Sequence, residues 1–342
     1  MINIFKNLFI NEIGIDLGTK NTVVYNSGKG IILREPSVVA IDQRTNDVIS
    51  IGQEAYNMVG KTPSNIIAIR PLREGVISDF DITGKMVSNF VMKASPKKLI
   101  RKQILIGIPW GITNVEQRAV LDASNLSGAS ETLLVPEPMA AAIGADIDVT
   151  TPNGNLIIDI GGGTTEVAVI SLGGIVVCHS ERIAGDAFDE QIIQYCRQNF
   201  NILIGDQMAE KIKMTIGSAY PLREEKTLTV KGRDLITGLP KPFTITSYDV
   251  REAITDPLNT IINLIRVTFE KTPPELSSDI LKNGIIMTGG GSLLKGLDER
   301  IQVETQLSVK HAKNPLTCVA VGTGKILEDS QLREKVRSSL IS

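Results

Sequence analysis

Cysteine and histidine are scarce in this 342-residue chain, which has three cysteines (Cys178, Cys196, Cys318) and two histidines (His179, His311). No C-x-x-C spacing is present, so neither a zinc cluster nor a disulfide framework is indicated, and buried, reduced thiols are expected. Cys178 and His179 are adjacent, but neighbours on a strand point to opposite faces, which argues against a thiol–imidazole pair. No apolar run approaches the ~18 residues of a membrane-spanning helix. The opening MINIFKNLFI lacks the long apolar core and small-residue cleavage site of a secretory signal, so the chain is expected to stay inside the cell. A net charge of −2 gives no whole-molecule field for polyanions. No nucleic-acid partner is expected, and any lipid contact has to come from a local patch. G-x-x-x-x-G-K-[ST] is absent, which excludes a P-loop, and no G-x-G-x-x-G supports a dinucleotide fold.

The remaining composition is that of an ordinary globular chain, 42% hydrophobic and 22% charged, with a length suited to two domains. Ile- and Val-rich strand signals recur at 13–17, 22–26, 30–33, 37–42, 104–108, 133–135, 156–160, 166–171, 175–179 and 284–288. Helical patterns lie between them: 115–127 with Asn114 as N-cap, 186–199, 261–269 after Pro257, and 292–305 after a triple glycine. The alternation predicts an α/β architecture. A polar seam, ADIDVTTPNGN at 145–155, separates two halves that carry one motif twice.

That motif is IDLGTKNTVV at 15–24 and IIDIGGGTTEVAV at 157–169: an apolar run, an aspartate, a glycine–threonine turn and a second apolar run. Such a turn suits a phosphate. Glycine permits φ > 0 and close backbone approach, and the exposed N–H groups form an anion nest aided by threonine hydroxyls. The aspartate is placed to hold Mg²⁺ through water. MTGGGSLL at 287–294 follows a strand and is expected to open a helix, a third place for N–H groups to meet a ligand. Two phosphate clamps, one per domain, predict a single nucleotide gripped from both sides.

The order IDLGTKNT, PEPMAAAIGA, DIGGGTTEVAV, EKIKMTIGSAYP, MTGGGSLL and NPLTCVAVGTGK resembles the actin-like ATPases and, within them, the MreB family of bacterial actins. The likeness runs from about residue 13 to residue 327, and IRPLREGVISDF and PPELSSDI also fit. It implies an α/β actin-like fold: two related domains, four subdomains, around a nucleotide cleft. The first domain is expected at 1–145, with a small subdomain inserted at about 34–72. The second is expected at 146–342, with a small subdomain at about 183–244 and a segment from about 313 to 342 returning to the first. The resemblance further implies ATP or ADP with Mg²⁺, hydrolysis coupled to filament dynamics, and paired protofilaments. The implied setting is the cytoplasm at the inner face of the membrane. Implied partners are further copies of the chain, the anionic membrane surface, and other shape or motility proteins.

Residue by residue, the resemblance puts Gly18, Thr19, Lys20 and Asn21 in the first phosphate hairpin, with Asp16 at the metal. Gly161, Gly162, Gly163 and Thr164 form the second, with Asp159 facing Asp16. Glu210 and Lys213 match contacts to ribose and base, though the residues alone read as a solvated helix face. Gly289, Gly290, Gly291, Ser292 and Leu293 match the loop under the adenine. In related ATPases the residue before the proline of PEP polarises the attacking water. Here that is Glu137, with Thr164 or Thr165 to hold the water and Asp159 beside it; Glu137 also suits a helix start next to Pro138. The family pattern has two glutamates before that proline, and this chain has Pro136 in place of the first. Trp110, the only tryptophan, is expected to pack.

Three segments can meet a membrane as short amphipathic elements. The first sets Ile4/Leu8 and Phe5/Phe9 at i,i+4. The second, KASPKKLIRK at 93–102, carries Lys97, Lys98, Arg101 and Lys102. The tail at 331–342 sets Leu332, Val336 and Leu340 beside Arg333 and Arg337. Each equally suits packing on its own domain, a solvated loop or a frayed end. Two other functions stay open: a nucleotide-binding structural filament with negligible hydrolysis, and a non-polymerising kinase or chaperone ATPase of the same fold.

Overall fold

The structure is a computed structural model describing residues 10–96 and 101–341. The Ile- and Val-rich runs form its central sheets. β1 (Ile10–Leu17) turns into antiparallel β2 (Asn21–Asn26), and β2 into β3 (Gly30–Pro36). A smaller sheet follows, of β4 (Val39–Asp42), β5 (Val48–Ile51) and β6 (Ile66–Ile69), then a short hairpin of β7 (Leu72–Arg73) and β8 (Val76–Ile77). β9 (Arg101–Ile108) joins β1 in parallel, and β10 (Glu131–Pro136) joins β9, giving the order β10-β9-β1-β2-β3.

The second half repeats this plan. β11 (Asn155–Ile160), β12 (Thr165–Ser171) and β13 (Gly174–Glu181) form an antiparallel meander. A small sheet of β14 (Ile202–Leu203), β15 (Thr227–Asp234) and β16 (Pro240–Thr246) intervenes. β17 (Ile285–Thr288) then pairs with β11, and β18 (Val309–His311) with β17, both in parallel. The order β13-β12-β11-β17-β18 matches that of the first sheet strand for strand. The repeated hairpin of the sequence is therefore the opening turn of two equivalent sheets. β12 is buried along its whole length because helices cover both faces, which is why it reads as an apolar run rather than an alternation.

Each sheet has its own core, with Phe90 and Met86 packed on Ile13 and Ile15 in the first and Phe188 and Ile192 on Ile158 in the second. A third core joins them. It takes Leu105 and Val135 from the first sheet, Ile157 and Ala168 from the second, and two small-residue helices, Glu137–Gly144 and Cys318–Glu328. These helices cross backbone to backbone: a Cβ on Gly144 would overlap the Cys318 carbonyl, and one on Gly322 the Ala140 carbonyl.

Two local expectations are corrected. The helix Asn114–Asn125 is capped by Thr113 rather than Asn114, through a reciprocal pair of bonds between Thr113 and Glu116. The triple glycine does not open an α-helix directly. A 3-10 turn, Gly291–Leu293, comes first, and the helix Leu297–Thr305 begins after the left-handed Gly296. Cys196 and Cys318 are buried free thiols and Cys178 is half-buried, as expected; His179 bonds Thr268 rather than a thiol.

The tail is a packing element. Val336 is fully buried in the shared core with Leu332 and Leu340 against it, and Ile341 exchanges two backbone hydrogen bonds with Leu134 of β10. Arg333 donates to the carbonyls of Ile326 and Leu327 and lies 3.5 Å from Glu12. Val336 thus faces the protein core, against its expected membrane role; Leu332 and Arg333 are half-buried, and Arg337 is exposed. Lys102 is corrected too, since it is buried with its ammonium 3.4 Å from the Ser127 carbonyl, whereas Arg101 is exposed. Ile4, Phe5, Leu8, Phe9, Lys97 and Lys98 lie outside the described residues. Val336→Ala is expected to lower unfolding stability by about 2 kcal/mol and to leave liposome co-sedimentation at the wild-type level. Unchanged melting with lost sedimentation would return the tail to the membrane.

Candidate functional site

The first turns of the two equivalent sheets face each other across a cavity of about 480 Å³. The turns nearly touch. A Cβ on Gly162 would press on Lys20, and one on Gly163 on Thr19 and the Glu74 backbone. At Gly162 and Gly163 close approach, not dihedral freedom, is what demands glycine. None of Gly18, Gly161, Gly162 or Gly163 has positive φ, and in the third cluster only Gly289 does, at 80°. The Gly161 and Gly162 carbonyls accept the N–H groups of Gly185 and Asp186, at the start of the helix Gly185–Phe200. The N–H groups of Gly18, Thr19, Lys20, Gly162, Gly163 and Thr164 bond no protein group among the described residues. Six unpartnered donors converging on a cavity make an anion nest.

Carboxylates gather at the cavity's floor. Asp16 is the penultimate residue of β1, Asp159 that of β11, and Glu137 opens the helix Glu137–Gly144; all three line the cavity. Burial pushes Asp16 up to about 8, with the Asp159 charge adding to it. Burial pushes Asp159 up to about 6, against a hydrogen bond from Thr288. Glu137 is held well above the usual carboxylate range by burial, then by Glu166, Asp16 and Asp159. Thr164 lines the cavity beside them, while Thr165 spends its hydroxyl on the Ile183 carbonyl at 2.6 Å. Of the two threonines expected to hold a water, only Thr164 is available.

At the mouth, the Lys20 ammonium crosses to the second domain and meets Asp189 at 2.5 Å and Asp186 and Glu210 at 3.1 Å. Burial alone would lower this lysine, but the three carboxylates hold it above its usual range. Glu210 also accepts the Tyr56 hydroxyl at 2.8 Å, and Lys213 binds Asp189 at 2.8 Å and the Gly185 carbonyl at 2.7 Å. Glu210 and Lys213 therefore line the cavity as members of a charge network, not as a solvated helix face. Gly289, Gly290, Gly291 and Leu293 line the cavity together with Met214, Gly217 and Leu316. Ser292 does not line it; its hydroxyl donates to the Gly289 carbonyl at 2.7 Å and holds the loop.

The sequence model described as MreB/Mbl protein matches residues 10–335. The chain belongs to the MreB/Mbl family. It is 48% identical to the cell shape-determining protein MreB of Escherichia coli (strain K12) over 96% of each chain. It is 45% identical to the cell shape-determining protein Mbl of Bacillus subtilis (strain 168), over 94% of this chain and 97% of that one. Among solved structures it matches MreB5 of Spiroplasma citri bound to ADP, at 38% identity and a TM-score of 0.90, over 95% of this chain and 98% of that one. The fold is actin-like.

Sequence reading missed Asp186, Asp189 and Tyr56 in this MreB/Mbl chain. The signal for the aspartates was present: an i,i+3 acidic pair at a helix start, on one face, opposite the predicted cation Lys20. Tyr56 sits in the first small subdomain, and nothing local links it to Glu210, 154 residues away.

A hydrated Mg²⁺ fits the floor. Asp16 and Asp159 both reach the cavity, and burial and mutual repulsion disfavour their charged forms, which a divalent cation would reverse. Among the described residues no three His, Cys, Asp or Glu side chains are grouped to ligate an ion directly, which suits an ion that keeps most of its water. Asp16 and Asp159 titrate at 3.8 when unfolded and higher when folded, so the folded state holds protons the unfolded chain has released. Stability of the nucleotide-free protein is thus expected to fall as pH rises from about 4 to about 8. Thermal melts across this range should show that decline, flattened by Asp16→Asn and by Mg²⁺ with nucleotide. A rise in stability over the same range would contradict it.

Proposed function

We propose that this chain is an ATP-binding and ATP-hydrolysing bacterial actin that assembles into paired, membrane-associated protofilaments and serves cell shape or cytoskeletal organisation. The observation that carries the reading is the six-donor nest between two equivalent hairpins, directly above three converging carboxylates. Phosphoryl transfer asks for positioning and charge neutralisation more than for covalent chemistry. The nest holds the phosphates, and Leu293, Met214 and Leu316 flank the base. Asp16 and Asp159 would hold Mg²⁺ through water, which supplies charge neutralisation at the phosphates when bound. Glu137 and Thr164 orient the attacking water, with Glu137 as the base that takes its proton.

The cell-shape names of the MreB and Mbl relatives and the ADP-bound MreB5 neighbour support this reading. For the membrane, residues 1–9 and 97–101 are the remaining candidates, and filament avidity makes a weak anchor per subunit sufficient. A second reading, a filament with negligible hydrolysis, draws on Pro136 beside Glu137.

Electron micrographs of protein with Mg·ATP and without nucleotide, paired with phosphate release, test both readings. Nucleotide-dependent paired filaments are expected, and Glu137→Ala should slow phosphate release ~10²–10⁴-fold with ATP affinity changed little. Equal rates for wild type and Glu137→Ala would favour the structural filament. A phosphorylated small molecule with no polymer would point to a kinase.

A further inference from the structure

Glu166, outside the cavity lining, is buried on β12 opposite Asp159 in the strand register. Its Oε1 accepts the backbone N–H of Trp110, in the loop that follows β9 in the first domain. That bond crosses between domains at the cleft floor. Its Oε2 is fully buried without a hydrogen bond of normal geometry among the described residues, with the Ser180 side chain favouring the charged form. An incompletely satisfied buried carboxyl costs stability. Trp110 is 38% exposed, and its backbone makes the specific contact.

The tethered loop leads straight from the strand that supports Glu137. Gly107 of β9 lies so near Glu137 that a Cβ there would sit 3.4 Å from the Glu137 Cγ. The same loop meets the Glu74–Gly75 turn, where a Cβ on Gly75 would press on both Pro109 and Thr164. One hydrogen bond thus fixes the loop of one domain against the strand that follows the phosphate turn of the other. Both residues assigned to the attacking water, Glu137 and Thr164, border this junction.

The geometry points to Glu166 as a positioning residue that couples closure of the two domains to the placement of Glu137 and Thr164. This rests on the hydrolytic reading above. Glu166 holds the 109–110 loop, the loop continues the strand under Glu137, and a cleft that opens pulls the Trp110 N–H away from its acceptor. Glu166 touches no substrate; its effect travels through the loop.

Trp110 is the only tryptophan, so its emission reports on this contact. The full-length chain, with Glu166→Ala, Glu166→Gln and Glu166→Asp, is assayed for phosphate release and for the change in Trp110 emission on adding Mg·AMPPNP. Glu166→Ala is expected to lower kcat about 10–100-fold with KM changed less than about 3-fold, and to abolish the emission change. Glu166→Gln keeps an acceptor oxygen and should restore most of both. Glu166→Asp, one methylene shorter, should behave as Ala does and carries the test if Ala fails to fold. Wild-type kcat and an intact emission change in the Ala or Asp variant would overturn the proposal, as would a kcat loss that Gln does not rescue. Absence of turnover in wild type would instead sink the hydrolytic reading, while the emission change would still test the tether.

Discussion

Two aspartates brought to one place by symmetry are the constraint on which the site depends. Asp16 and Asp159 are the penultimate residues of equivalent strands of equivalent sheets, so bringing those strand ends together brings their charges together. Each is disfavoured by burial, and Asp16 further by its neighbour. Without a cation the floor of the cleft is frustrated, an electrostatic cost that a hydrated divalent ion would relieve. The nest of N–H groups above it has the opposite character, a set of partial positive charges with nothing to bind. Acidic floor and amide roof together describe a phosphate chain with its metal better than either does alone.

Something has to hold two sheets in this unfavourable juxtaposition, and the shared core does so. The helices Glu137–Gly144 and Cys318–Glu328 are rich in Ala and Gly, which lets their backbones meet. Burial of Leu105, Ile157, Ala168 and Val336 around them offsets the electrostatic cost. Because Glu137 opens one of these helices, the hydrolytic candidate is anchored beside the shared core. The Lys20 network works at the other end of the cleft. There, charges of opposite sign bridge the domains where a nucleotide's phosphates would compete for the same ammonium.

The elements legible in the sequence were those with a local cause. β11 and β12 announce themselves as apolar runs around a glycine turn, and the repeated motif exposed the pseudo-symmetry before any coordinates. What stayed hidden was set by tertiary context. The tail's i,i+4 apolar stripe looks the same whether it meets lipid or protein, and only the Ile341–Leu134 pairing decides for protein. Glycine in the phosphate turns suits dihedral freedom or close approach to a ligand, yet at Gly162 and Gly163 the crowding comes from Lys20 and Thr19 of the opposite turn, distant in sequence. Glu210 alone is a surface glutamate; Tyr56 and Lys20 make it part of the cleft.

Pro136 illustrates how a departure from a family pattern is judged by position. In the interior of a strand or helix, proline removes a needed donor and breaks the element. Here it stands at the last residue of β10, paired with Ile108, and serves at once as N-cap of the next helix, with φ −57° and ψ 132°. The N–H it lacks is not required by the helix, and its fixed φ suits the turn from strand to helix. Pro138 follows inside the first turn, so Glu137 sits between two residues with restricted backbones. The consequence is a stiffer mount rather than a displaced side chain, since Glu137 still lines the cavity beside Asp16 and Asp159. A stiff mount lowers the entropy cost of aiming a carboxylate, but it also removes freedom to adjust. Under the proposed assembly, coupling to Glu137 would come from the other wall of the cleft, where Glu166 of the second domain reaches across to the 109–110 loop.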